Sequence, residues 1–153
     1  MPELRQGGCL CGAVRYRALG KPQRVTVCHC TFCQRRTGGA LSIHAWFEER
    51  NVALDGEVGT YEQRSDESNY LLRLHFCRRC ATTVMLTLEK RPTFRLITAG
   101  TLDDPKSVEV DFHVWRRSAQ PWVRLPENVA AFEASSPPGA IPPSLFSPGS
   151  VSP

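Results

Sequence analysis

Cys28-His29-Cys30-Thr31-Phe32-Cys33 is the stretch on which the reading of this chain turns. Its three thiols lie close enough in sequence to occupy three corners of one tetrahedral metal. The remaining cysteines fall into two pairs, Cys9-x-Cys11 and Cys77-x-x-Cys80. Two thiolates one to four residues apart on a tight turn span one edge of a zinc tetrahedron, and two such half-sites make a closed four-thiolate site. Cys9 and Cys11 are the natural partners of Cys77 and Cys80. Joined by a metal, they clamp the first strand region to the middle of the chain, so the fold is predicted to depend on that metal.

The count supports metal over disulfides. Seven cysteines cannot all pair as disulfides, whereas four ligands plus three ligands use every one. The compartment agrees: no apolar run approaches the roughly 20 residues that cross a bilayer. The segment Met1-Pro2-Glu3-Leu4-Arg5-Gln6-Gly7-Gly8 lacks the apolar centre of a signal peptide, and no lipidation motif is visible. A cytoplasmic, reducing location is expected, where clustered thiols bind metal or do chemistry.

At 153 residues, 41% hydrophobic and 22% charged, the chain suits one soluble domain with a real core. Nineteen basic residues against 15 acidic ones give a formal charge of +4. Nearly all the bases are arginine, which suits bidentate grip of a small carboxylate. Acids are interspersed throughout, so the dense basic stripe of a nucleic-acid reader is missing. The expected partners are small molecules, neither nucleic acid nor membrane.

The strand signal, β-branched and aromatic residues bounded by Gly, Pro, Asn or Asp, recurs at about 13–17, 24–28, 40–46, 60–64, 71–76, 83–87, 94–98 and 108–114. Short helical turns are predicted after Cys33, at 48–51, and at 126–132, where Pro126 would occupy the first helical position. Asp55-Gly56 and Asp104-Pro105 read as turns. From residue 134 to 153 the composition becomes Pro- and Ser-rich, with six of the twelve prolines, and this tail is expected to be disordered. The folded domain is therefore taken as 1–133.

The trio Cys28, Cys30 and Cys33 supplies three protein ligands, the pattern of a catalytic zinc with one open position. The alternative is that His29, His44 or His113 closes the fourth corner. Zinc with three thiolates carries a net negative charge, so its Lewis acidity is blunted and it is a poor source of hydroxide. A soft thiolate suits the open corner better, with nearby cations such as Arg35 and Arg36 balancing the charge. The residues thus point to a thiol substrate. His44 and His75 read as satisfied sheet histidines, and Trp46, Trp115 and Trp122 as core or rim. Arg78 and Arg79 lie between two ligands and offset their charge. Nucleophile elbows, phosphate loops and dinucleotide fingerprints are absent.

The stretches Gly8-Cys9-Leu10-Cys11-Gly12-Ala13-Val14-Arg15-Tyr16, Cys28 through Gly38, and Phe76-Cys77-Arg78-Arg79-Cys80 resemble the glutathione-dependent formaldehyde-activating family, which includes the centromere protein V type. Ala99-Gly100-Thr101-Leu102-Asp103-Asp104-Pro105, His113-Val114-Trp115 and Pro121-Trp122 match as well, and the likeness runs from about Arg5 to Phe132. The resemblance implies a mainly β, β-tent fold of zinc-joined antiparallel sheets with few short helices, and two zinc ions per chain. It implies a structural zinc on Cys9, Cys11, Cys77 and Cys80 and a catalytic zinc on Cys28, Cys30 and Cys33. The implied activity is addition of glutathione to formaldehyde, giving S-(hydroxymethyl)glutathione, a carbon–sulfur lyase reaction. One position departs from the pattern: glycine usually follows the last cysteine, and here Ala81 does. A left-handed residue there costs a non-glycine about 1–2 kcal/mol.

Two functional readings follow. In the first, the thiol of glutathione or a relative enters the open corner of the Cys28, Cys30 and Cys33 site beside an aldehyde, and Arg35 or Arg36 holds a substrate carboxylate. In the second, the trio is closed by an endogenous ligand and the protein is a non-catalytic zinc module that binds a partner.

Overall fold

Along Arg24-Val25-Thr26-Val27-Cys28 successive side chains point to opposite faces of a strand, and that alternation organises the molecule. The computed structural model describes residues 1–137. Its strands are β1 (Leu4–Gly8), β2 (Arg15–Leu19), β3 (Arg24–Cys28), β4 (Ser42–Glu48), β5 (Val52–Asp55), β6 (Val58–Arg64), β7 (Leu71–Cys77), β8 (Thr83–Leu88), β9 (Arg91–Thr98), β10 (Phe112–Val114) and β11 (Ala130–Ala131), with one α-helix, α1 (Thr31–Thr37), after β3. They form a three-stranded sheet in the order β1-β2-β5 and an eight-stranded sheet in the order β11-β10-β3-β4-β9-β8-β7-β6. The fold is mainly β and the sheets are antiparallel, as expected, except that β10 runs parallel to both β3 and β11. No helix among the described residues is long and apolar enough to cross a membrane.

The core lies between the sheets. Val14, Tyr16 and Ala18 from the small sheet meet Val25, Ala45, Phe47, Val84, Met85 and Ile97 from the large one. A second cluster is formed by Leu72, Leu74, Leu86, Leu88 and Leu96, with Trp46 and Phe94 against it. This side of the large sheet also carries Arg24, Thr26 and Cys28, and it becomes the floor of the candidate site.

Three strands, β1, β5 and β11, lie outside the predicted set. Leu4-Arg5-Gln6-Gly7-Gly8 carries no apolar alternation, and its strand is made by pairing with β2. Gly7 is required there, because a Cβ would stand 2.2 Å from the Tyr16 hydroxyl and 2.4 Å from the Thr101 carbonyl oxygen. The helical turn predicted at 126–132 is corrected: the segment leads into β11, where the Phe132 N–H donates to the His113 carbonyl at 2.9 Å. Sheet pairing overrides the helix-start signal of Pro126. The strand predicted over 108–114 is shorter, beginning at Phe112. Of the tail expected to be disordered, residues 138–153 lie outside the described residues, while Ala134 is held through its carbonyl by the Trp115 N–H at 3.0 Å.

Candidate metal centres

The turn after β1 and the turn after β7 bring Cys9, Cys11, Cys77 and Cys80 together, their sulfurs all within 4.8 Å of one another. The Cys9–Cys11 and Cys11–Cys77 sulfur separations are 3.6 Å and 3.7 Å. Metal–sulfur bonds of about 2.3 Å give a tetrahedral edge of about 3.8 Å, so the four thiols fit a zinc ion and are too far apart for disulfides. Backbone N–H groups already point at the sulfurs, Val14 to Cys9 at 3.2 Å and Arg79 to Cys77 at 3.4 Å. Such donors spread thiolate charge and fix the ligands. Ala81 closes the second turn at φ 60, the left-handed conformation its place predicts. Arg78 and Arg79 between the ligands are exposed.

Cys28, Cys30 and Cys33 form the second cluster, also within 4.8 Å and all buried. Cys28 ends β3, and Cys30 caps α1, its sulfur accepting the Cys33 N–H at 3.3 Å. One helical turn then lays Cys33 beside Cys30. The helix stops at Gly38, left-handed at φ 67, whose N–H returns to the Gln34 carbonyl. Without metal the trio shares protons: donation from Cys28 and then Cys33 draws the Cys30 thiol down to about 3. Cys28 is pushed well up, first by its bond to Cys30, then by that to Cys33 and by burial. A buried trio that holds one thiolate against two reluctant thiols is a donor set that a divalent soft cation satisfies.

No histidine joins the trio within that distance among the described residues. His29 and His113 turn to each other, Nε2 to Nδ1 at 2.9 Å, with their rings stacked. Burial lowers the pKa of both. His75 meets Thr87 at 3.2 Å within the sheet, as expected of a satisfied histidine. His44 differs, because it lines the cavity next to the trio. Its Nε2 lies 2.9 Å from Ser42 Oγ and 3.3 Å from Arg36 Nη2. Arginine only donates, so Nε2 is the acceptor and the ring proton sits on Nδ1. Burial and then Arg36's charge hold the pKa of His44 down to about 3, which keeps the ring neutral.

The cavity, about 190 Å³, lies on the outer face of the large sheet. Cys28, Cys30 and Cys33 line it together with Thr26, His44, Trp46, Phe112, Tyr70, Leu88 and Trp115. Trp115 packs on the three thiols at φ 59, a strained conformation for a bulky residue that the surrounding contacts must hold. Trp46 sits in the cavity wall, and Trp122 is 70% exposed. Arg35 and Arg36 do not line this space. They border a second hollow with Tyr61, Gln63, Leu74 and Phe76, and Arg36 reaches the wall of the first through its contact with His44. Among the described residues, the cations that line the trio's cavity are Arg24, Lys90 and Arg91, and no Asp or Glu lines it.

Two supporting residues were not among the predicted site residues. Glu67 accepts from the Thr31 backbone at 2.6 Å and from Ser118 Oγ. Gln34 Nε2 donates to the His29 and Ser118 carbonyls at 2.7 Å and 2.8 Å. Together they hold the helix start, the trio and the Trp115 loop as one unit.

A family model described as glutathione-dependent formaldehyde-activating enzyme matches residues 4–118. A Halomonas elongata protein whose name assigns it, provisionally, to those enzymes is 27% identical over 128 residues, covering 80% of this chain and 81% of its own. A Schizosaccharomyces pombe protein named as an uncharacterized lyase is 29% identical over 96 residues, 61% of this chain and 66% of its own. A solved structure of a Rhodobacter sphaeroides protein shares the fold, with a TM-score of 0.52 and 22% identity, over 69% of this chain and 96% of that one.

Proposed function

The chain belongs to the family of glutathione-dependent formaldehyde-activating enzymes, and on that premise we propose that it is a zinc-dependent carbon–sulfur lyase joining the thiol of glutathione, or a related thiol, to formaldehyde or another small aldehyde. The observation that carries this reading is the trio of buried cysteines, joined by no fourth protein ligand within 4.8 Å among the described residues, at the wall of a cavity. A zinc ion held by Cys28, Cys30 and Cys33 would supply a soft Lewis-acid position that favours the thiolate form of an incoming thiol. A second zinc, on Cys9, Cys11, Cys77 and Cys80, would be structural. The reducing cytoplasm suits both clusters.

The reaction asks little of the protein beyond placement. A sulfur–carbon bond forms, the carbonyl π pair moves to oxygen, and the proton lost by the thiol to solvent is matched by one taken up at that oxygen. Trp115 and Phe32 pack on the trio and exclude water there, and holding the two reactants together lowers the entropic barrier. His44 lines the cavity, its Nε2 is engaged by Ser42 and Arg36, and its Nδ1–H has no acceptor among the described residues. A neutral imidazole there can hydrogen-bond the developing oxyanion without giving up its proton. Arg36 and Ser42 fix that tautomer from behind.

The test is a panel of thiols and aldehydes followed by loss of free aldehyde, comparing the intact protein with Cys30→Ser. The intact protein is expected to exceed the uncatalysed rate and the variant to match it. Equal rates for the two proteins would remove the catalytic reading.

A further inference from the structure

Arg24, Lys90 and Arg91 reach the cavity of the cysteine trio, yet none of them forms an ion pair among the described residues and no carboxylate lines the space. Every other wall group is neutral or a thiol. Two of the cations are seated on aromatic faces: the Arg24 guanidinium lies 3.9 Å above the Trp46 ring and Lys90 Nζ 4.6 Å above Tyr70. Such contacts hold a charged head in place without neutralising it. Burial and then the charge of Arg91 lower the pKa of Arg24 to about 10, a cost that a bound anion would offset.

The strand sets the span. Arg24, Thr26 and Cys28 share one face of β3, and four steps at about 3.3 Å separate the first and last by roughly 13 Å. His44 and Trp46 are their cross-strand neighbours on β4, opposite Thr26 and Arg24. The floor therefore runs from soft sulfur at Cys28 to hard cations at Arg24.

We propose that this cavity selects an acidic thiol of peptide length, its sulfur at the Cys28, Cys30 and Cys33 end and a carboxylate gripped by Arg24 with Lys90 and Arg91. The thiol half of this assignment rests on the function proposed above; the carboxylate half rests on the unpaired cations alone. It also moves the carboxylate grip from Arg35 and Arg36, which border a different hollow, to a set of residues that no motif marks. A thiol without a carboxylate gains nothing from the basic end. Free cysteine places its carboxylate too close to its sulfur, since one residue of chain adds about 3.3–3.6 Å.

Calorimetric titration of the metal-loaded protein with glutathione, glutathione diethyl ester and S-methylglutathione tests the two halves separately. Glutathione is expected to bind at least about tenfold more tightly than the diester. Arg24→Gln, and independently the surface double variant Lys90→Gln/Arg91→Gln, should erase most of that preference and leave diester binding unchanged. Arg24→Lys should restore part of it. Equal affinity for acid and ester in the unaltered protein would overturn the proposal, as would an Arg24→Gln loss of the same size for both with an unchanged melting temperature. S-methylglutathione separates the underlying readings. If it binds with the same Arg24 dependence while glutathione leaves the absorption of cobalt-substituted protein unmoved, the carboxylate grip stands and the thiol reading falls.

Discussion

Glu67 and Thr31 are 36 residues apart in sequence, and the Glu67 carboxylate accepts the Thr31 N–H at 2.6 Å, immediately beside the capping thiol of Cys30. The same carboxylate takes the Ser118 hydroxyl and lies 3.8 Å from Arg117 Nε. It thereby ties the loop before β7, the first turn of α1 and the turn after Trp115 around the thiol trio. Charge-assisted bonds of this kind contribute about 1.5–3 kcal/mol, and groups that orient metal ligands alter metal affinity by about 10–100-fold. Glu67→Ala is expected to lower the melting temperature by several degrees and to release one of two zinc equivalents at lower chelator concentration. Competition with a chromophoric chelator measures this; an unchanged release curve for both equivalents would show that Glu67 does not brace the trio.

Ala81 holds φ 60 directly after the last cysteine. An L-residue in that conformation costs about 1–2 kcal/mol, partly offset because glycine has more freedom to lose on folding. Ala81→Gly should therefore stabilise the protein by roughly 0.5–1 kcal/mol, a rise of about 1–4 °C, with zinc content unchanged. Thermal unfolding of the two forms decides, and a fall in melting temperature would mean that the alanine methyl makes contacts outweighing the strain.

The cysteine spacing carried most of the site, because metal geometry restricts which thiols can converge. Strand positions were legible wherever β-branched, aromatic or alternating apolar residues gather, as in Val25 to Val27 of β3, Ile43, Trp46 and Phe47 of β4, and Leu72, Leu74 and Phe76 of β7. They were not legible in β1, whose Gln6-Gly7-Gly8 becomes a strand through β2 and through the space Tyr16 occupies. The same limit hid the cavity's cations. Arg24, Lys90 and Arg91 meet because β3 and the turn between β8 and β9 flank one sheet face, a relation no local pattern encodes, whereas Arg35 and Arg36 attracted attention by lying next to Cys33. His44 was read correctly as a sheet residue, yet its exposure to the cavity follows from the register of β3 against β4.

The two metal centres should differ in what their loss does. Cys9 and Cys77 belong to the main core, both nearly inaccessible, and the four-thiolate site joins turns from both sheets. Cys77→Ser is expected to give largely unfolded protein, since a broken structural site removes binding energy that is also folding energy. Cys30→Ser should keep native circular dichroism and bind one zinc per chain instead of two. Elemental analysis with far-ultraviolet circular dichroism checks both, and a folded Cys77→Ser protein would count against a structural role for that site.

Burial raises the Tyr16 hydroxyl to about 12; its neutral oxygen lies 2.8 Å from Thr101 Oγ1. An unfolded tyrosine ionises near pH 10, so the stability tied to the neutral form is complete below that pH and is lost as pH rises toward the folded value. The loss across this window is on the order of 2–3 kcal/mol. Tyr16→Phe should cost about 1 kcal/mol at neutral pH through the missing hydrogen bond and should flatten the decline between pH 10 and 12. Urea unfolding at several alkaline pH values measures the difference in slope; parallel curves would assign the alkaline loss to other groups.

His44 is the residue whose replacement separates chemistry from binding. Its Nε2 is engaged by Ser42 and Arg36, which leaves the other ring nitrogen to carry the proton, and the residue lines the cavity with the thiols and Trp46. Removing one preorganised donor to a developing oxyanion costs about 10²–10³ in rate. His44→Phe is expected to lower kcat for aldehyde consumption to that extent while glutathione affinity stays within about twofold. The phenylalanine also strips Ser42 and Arg36 of an acceptor, so a stability loss of about 1–3 kcal/mol should accompany it. His44→Gln carries both an acceptor and an amide donor and should recover stability and part of kcat. If both variants keep the full kcat, His44 is a sheet histidine that merely borders the site.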